Sequence, residues 1–133
     1  MGKYVVIKLT KKMKKKNIKV KGAKVLIMGL TFKENCPDLR NSGVQSVIKE
    51  LKHLKCSIDL YDPWANEDEI MELYKISPKK KLNNNTYDTV LIAVAHNKFK
   101  KIGINKIKSL CKNNHVIFDL KNLFKSKNVD LKL

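Results

Sequence analysis

A chain of 133 residues with 43% hydrophobic content is long enough to bury one core and too apolar to be disordered. Its 29 basic against 12 acidic side chains give a net charge of +17, which raises a polyanion as partner, and of the 29 only Arg40 is an arginine. No apolar run approaches the roughly 18 residues of a membrane span, no signal-peptide pattern opens the chain, and its 3 cysteines form no CxxC pair, which fits reduced thiols in a cytoplasm and not a disulfide frame or zinc site.

Residues 3–16 have helical spacing, with Tyr4, Val5, Leu9 and Met13 on one stripe and a lysine-rich last turn that suits a helix C-terminus. The segment 17–22 breaks that helix. Residues 24–32 form an apolar run, as expected of a strand buried on both faces. Val44, Val47, Ile48, Leu51 and Leu54 predict a second helix, for which Asn41 or Ser42 is a capping candidate. Residues 57–61 read as a strand closed by Asp62-Pro63, and the acidic turn 66–69 opens a helix carrying Ile70, Met71 and Tyr74. A third buried strand spans 87–94. Ile104, Ile107, Leu110 and Cys111 mark a further helix, 115–119 a fourth strand, and 125–133 a polar tail with room for a short terminal strand.

Strands and helices alternating at this period predict an α/β, Rossmann-like three-layer domain: a parallel sheet with helices on both faces. In such sheets ligands bind beyond the carboxyl ends of the strands, which selects the loops 32–41, 62–66, 95–100 and 120–124. The lone arginine stands in the first, beside Lys33. A guanidinium grips phosphate or carboxylate with a planar fork that lysine lacks, so Lys33 and Arg40 are expected to face one anion in a shared pocket; the competing reading pairs Arg40 with Asp38 or Glu34.

Other candidates are weaker. Only Gly29 ends the first strand, and neither GxGxxG nor a P-loop occurs, so the domain is not expected to bind NAD or ATP by itself. Asp62 occupies the place of a ribose-binding acid but reads as the start of an Asp-Pro turn. Cys36 reads as an inert loop thiol, His96 as a capping or packing histidine, and Trp64 and Phe99 as packing aromatics. His53 and His115 attract no role. Scattered lysines and many asparagines, without an arginine stripe or aromatic-interleaved basic strand, argue against nucleic acid as the evolved partner.

The run Gly29-Leu-Thr-Phe-Lys-Glu-Asn-Cys-Pro-Asp-Leu-Arg40-Asn resembles the C-terminal, UDP-binding domain of the UDP-glucose/GDP-mannose dehydrogenase family. Its Asn-Cys-Pro-Asp-Leu-Arg-Asn wording resembles the branch that oxidises UDP-N-acetylhexosamines. Tyr61-Asp-Pro-Trp64, Ile92-Ala-Val-Ala-His-Asn-Lys-Phe99, Val116-Ile-Phe-Asp-Leu-Lys121 and the ending Asn128-Val-Asp-Leu-Lys-Leu133 fit as well, so the likeness covers essentially the whole chain.

The resemblance implies that Phe32 and Lys33 meet the UDP-sugar, that Arg40 reaches toward NAD held by another domain, and that Lys121 contacts the nucleotide sugar of a neighbouring subunit in a homodimer. At Lys121 the family often has arginine. It further implies that 1–16 is the tail of a central linker and dimer helix, with 17–133 the sugar-nucleotide-binding domain. The N-terminal Rossmann domain and the central domain with the catalytic cysteine have no counterpart, so no catalytic residue is expected here and Cys36 is not that nucleophile. The chain thus reads as a fragment, an expressed domain or a frame starting at an internal methionine. It is expected to be inactive alone, with Tyr4, Val5 and Leu9 uncovered. The parent would be an NAD-dependent UDP-N-acetylhexosamine 6-dehydrogenase of surface-polysaccharide synthesis. The alternatives are a stand-alone nucleotide- or polyanion-binding Rossmann-like module and a structural dimerisation fragment.

Overall fold

A computed structural model describes residues 2–133; Met1, which begins the segment read as a linker-helix tail, lies outside the described residues. The elements are α1 (Gly2–Lys15), β1 (Lys24–Met28), α2 (Val44–His53), β2 (Ser57–Tyr61), α3 (Glu67–Tyr74), β3 (Tyr87–Ile92), α4 (Asn97–Ile102), α5 (Ile104–Leu110), β4 (Cys111–Asp119) and β5 (Leu131–Lys132). The strands form one sheet in the order β2-β1-β3-β4-β5, every pair parallel. The order reverses between β1 and β3, which places the switch-point crevice at their carboxyl ends.

Alternation along the strands splits the core into two layers, because successive side chains leave a strand on opposite faces. Val25 and Ile27 of β1, Leu91 of β3, and Val116 and Phe118 of β4 join the layer beneath α1, α2 and α3. Leu26, Met28, Val90, Ile92 and Ile117 join the layer beneath α4 and α5, with Phe99, Ile107 and Leu110. The continuous apolar runs in the sequence therefore reflect burial on both faces. The three-layer architecture is as the alternating pattern predicts.

Several boundaries differ. β1 ends at Met28, four residues short of the apolar run, because Gly29 at φ +99° turns the chain. The buried stripe of α1 is Val5, Val6, Leu9 and Met13, so Val5 and Leu9 are covered by the domain's own core; Tyr4 is 56% exposed. α2 is preceded by Gly43 without a side-chain cap at that position, although the Ser42 hydroxyl accepts the Val44 N–H at 3.3 Å. α3 is capped as its sequence suggests: Asn66 Oδ1 accepts from the N–H groups of Asp68 (2.9 Å) and Glu69 (3.1 Å). Cys111 opens β4 instead of closing a helix, and α4 arises where a plain loop was expected, anchored by Phe99.

The tail is tied down. Asp130 accepts a 2.8 Å ion-pair bond from Lys16 and a 2.8 Å bond from the Ile117 N–H, and β5 pairs with β4.

Candidate functional site

The strand-end loops are shaped by backbone constraints first. Gly29 has no space for a side chain: a Cβ there would stand 2.6 Å from Val94 Cβ and 2.8 Å from Val94 N. The loop that follows closes on itself through the Phe32 N–H, which donates to the Asp38 carbonyl at 2.7 Å. Asn35 and Asn41 adopt positive φ (56° and 57°), a conformation asparagine tolerates better than most residues.

A buried polar knot then joins three loops. Asp62 Oδ2 accepts the Leu30 N–H at 2.7 Å and His96 Nε2–H at 3.0 Å. Its Oδ1 accepts from the N–H groups of Trp64 (2.8 Å) and Ala65 (3.2 Å). The side chains of Asp62 and His96 are fully buried. Burial alone pushes the Asp62 carboxyl up, but hydrogen bonds from His96 and from the Leu30 and Trp64 amides outweigh it and hold the group below its ordinary value. His96 Nδ1 accepts the Asn35 N–H at 2.9 Å, and Asn35 Oδ1 accepts the Asn97 N–H at 3.0 Å. Asp119 does similar service at the end of β4, accepting from the N–H groups of Lys121 (3.2 Å) and Phe124 (2.8 Å).

Around this knot lie three clefts. Phe32 and Lys121 line a small one of about 90 Å³, together with Thr31, Ser42, Val44 and Leu133. Arg40 lines a second of about 680 Å³ with Asp38, Trp64, Asn66 and Glu69. A third, of about 880 Å³, runs between Asn35, Trp64, Asn97, Lys98 and Lys101. Lys33 is exposed and lines none of the three.

The structure therefore brings Phe32 and Lys121 together but does not set Lys33 and Arg40 in a shared pocket within these clefts. The reason is Asp38. Its carboxylate receives the guanidinium at 3.0 Å (Nε) and 3.2 Å (Nη2), drawing Arg40 to the α3 side of the loop while leaving it 87% exposed. That pair raises the Arg40 pKa and lowers that of Asp38. Trp64, expected to pack, is 46% exposed and borders two clefts, whereas Phe99 is buried as expected. His96 packs, and also carries the knot, a role that its sequence neighbours did not reveal.

The carboxyl end of β1 does not fit a dinucleotide. The one glycine there is filled from behind by Val94, and the acid at the end of β2 is turned inward to four donors, away from any ribose. Among the described residues no cluster of His, Cys, Asp or Glu could hold a metal ion, and no helix is long and apolar enough to cross a membrane.

A parallel sheet whose strand-end loops present exposed cations around a buried acid–histidine knot describes a ligand-binding domain with no dinucleotide fingerprint of its own. Residues 26–126 match the UDP-glucose/GDP-mannose dehydrogenase family, UDP binding domain, and the chain belongs to that family. It is 46% identical over 133 residues to the UDP-N-acetyl-D-glucosamine 6-dehydrogenase of Pseudomonas aeruginosa, covering 100% of this chain and 32% of that protein. It is 42% identical over 133 residues to the enzyme of the same name from Salmonella typhi, covering 100% of this chain and 31% of that protein. The chain thus spans about a third of the length of these curated relatives. A UDP-glucose dehydrogenase structure from Pyrobaculum islandicum shares the fold with a TM-score of 0.75 at 20% identity, covering 98% of this chain and 28% of that one.

Proposed function

We propose that this chain is the UDP-sugar-binding domain of an NAD-dependent UDP-N-acetylhexosamine 6-dehydrogenase that serves surface-polysaccharide synthesis. The observation that carries the reading is the 46% identity maintained over all 133 residues to a UDP-N-acetyl-D-glucosamine 6-dehydrogenase. The geometry is compatible with it: Phe32 and Lys121 border one cleft at the carboxyl edge of the sheet, with Lys33 exposed beside Phe32.

In this reading Lys33 meets the negative charge of the diphosphate, Phe32 covers the sugar-nucleotide, and Lys121 contacts the nucleotide sugar of a neighbouring subunit. Arg40, exposed on the opposite side of the loop, faces the NAD held by a portion of the relatives outside this chain. A charged hydrogen bond of this kind contributes about 1.5–3 kcal/mol. The oxidation itself requires groups that this chain does not supply, so its own residues bind and orient and do not turn over substrate. In this reading α1 belongs to the helix that joins this domain to the rest of a homodimeric enzyme, and its exposed Tyr4 and Ile7 are the surface offered to it.

Calorimetric titration of the chain with UDP-N-acetylglucosamine tests the reading. Weak saturable binding that Lys33→Ala abolishes and Arg40→Ala leaves intact supports it. Absence of sugar-nucleotide binding, with steeply salt-dependent RNA or DNA binding indifferent to Lys33, would instead establish a polyanion-binding module built on the +17 net charge.

A further inference from the structure

We propose that His96 is a positioning residue for the sugar-nucleotide site, gripping the β1 loop on both sides of Phe32 and Lys33 through its neutral, Nε2-protonated ring. The proposal rests on the reading that these two residues meet the ligand.

The tautomer follows from its partners. Nδ1 stands 2.9 Å from the Asn35 N–H, which can only donate, so Nδ1 is the bare nitrogen. The proton is then on Nε2, aimed at Asp62 Oδ2 (3.0 Å) with Thr31 Oγ1 alongside at 3.3 Å. The Thr31 hydroxyl donates to the Lys33 carbonyl at 2.9 Å, which leaves its lone pairs for the ring N–H. His96 thus touches Thr31 before the ligand-facing pair and Asn35 after it, while the pair itself stays exposed.

The ring is packed as well as bonded. Phe99 meets it edge-on with ring centroids 5.2 Å apart, Trp64 lies at 6.4 Å, and the imidazole is fully buried. Burying a polar ring here is tolerable only because both nitrogens are bonded. One of those bonds anchors the ring to the β2 loop, and the other restrains the β1 loop. The two have separable consequences. Losing the Asp62 partner leaves a buried acid short of a donor, which is a stability effect. Losing the Asn35 acceptor frees the loop, which is an effect on binding.

Two substitutions divide these roles. In His96→Asn the amide oxygen can take the place of Nδ1 and keep the Asn35 bond, while the Asp62 bond and the longer 3.3 Å contact to Thr31, which keeps its own bond to the Lys33 carbonyl, are lost. In His96→Gln the longer amide can donate to Asp62, and the Asn35 acceptor is lost. The proposal expects a crossing pattern. H96N melts lower than H96Q yet keeps UDP-N-acetylglucosamine affinity within about threefold of the unsubstituted chain, whereas H96Q binds about tenfold more weakly.

Without ligand, amide hydrogen exchange at Asn35 should accelerate in H96Q and stay slow in H96N. Affinity that simply follows melting temperature across both variants, or equal protection of the Asn35 amide in both, overturns the proposal. Nitrogen-15 shifts of the imidazole in the unsubstituted chain give a check that survives a variant's failure to fold: a protonated Nδ1 overturns it, and a protonated Nε2 supports it. Should the unsubstituted chain bind no sugar nucleotide, the parent reading falls, while the exchange pattern still decides whether His96 holds the loop.

Discussion

Replacing Asp62 by asparagine changes one atom and asks whether the knot holds the strand-end loops together. The carboxylate accepts four bonds: from the Leu30 N–H (2.7 Å) and His96 Nε2–H (3.0 Å) at one oxygen, and from the Trp64 (2.8 Å) and Ala65 (3.2 Å) N–H groups at the other. An amide cannot satisfy all four. Whichever way it turns, its NH2 group meets two donors with nothing to accept them. Hydrogen bonds to a charged group are worth about 1.5–3 kcal/mol each, and the donors stranded are either the buried Leu30 and His96 pair or the partly buried Trp64 and Ala65 pair, so D62N should lose roughly 3–4 kcal/mol of stability. For a chain of this size that corresponds to a melting temperature lower by about 10 °C.

The pH dependence gives a second handle. Asp62 is held below its ordinary value in the folded state, burial raising it but hydrogen bonds from His96, Leu30 and Trp64 lowering it more. A depressed acid stabilises above the unfolded-state value and loses that contribution as pH falls through the folded one. The gap between the unsubstituted chain and D62N should therefore be full near neutrality and shrink below about pH 4. Thermal melts followed by circular dichroism at pH 7 and pH 3 measure both quantities. A gap under about 0.5 kcal/mol at neutral pH, or one undiminished in acid, would refute the account of the knot.

Gly29→Ala should destabilise by about 3 kcal/mol, since its φ of +99° disfavours a side chain and the new Cβ would press on Val94, whereas Gly43→Ala, with φ −63° and no neighbour within 4 Å, should be neutral or stabilising by about 0.5 kcal/mol; urea midpoints separate the two. Burial, with Asp130 adding to it, pushes the Cys111 thiol up to about 12, so iodoacetamide at neutral pH should label the partly exposed Cys36 while Cys111 stays unmodified until the chain unfolds, as peptide mass mapping would show.

The layered sheet was legible because a strand buried on both faces leaves a continuous apolar run, and β1, β3 and the end of β4 each carry one. The errors arose where local pattern and packing part company. Tyr4 is one helical step from Val5 and fits a loose apolar stripe, but the buried face of α1 runs through Val5, Val6, Leu9 and Met13, which turns Tyr4 outward. α4 is six residues long with a single buried side chain, Phe99, too little for a helical period to emerge. The loop motif around Lys33 and Arg40 stands out in sequence, and so does the competing reading in which a carboxylate two residues away holds the guanidinium, which is the pairing the structure shows. The knot was the least visible feature: Asp62 and His96 are 34 positions apart and meet only after β2 and β3 have been placed on either side of β1.

That placement also explains why the carboxyl end of β1 in this Rossmann-like sheet offers no ordinary dinucleotide site. In a dinucleotide fold the glycine ending the first strand lets a pyrophosphate approach the backbone, and the acid ending the second takes the ribose hydroxyls. Here both positions are filled from within the protein. The space at Gly29 is occupied by Val94, and the acid, Asp62, spends its lone pairs on Leu30, His96, Trp64 and Ala65. With the backbone approach closed, a diphosphate would have to be met by side chains further out, and on the reading proposed above the exposed cations Lys33 and Lys121 supply them. Long, flexible lysines define such a site poorly on their own. In that reading the loops beneath them are best held firmly, and the inward-turned acid and histidine tie the loops after β1, β2 and β3 to one another.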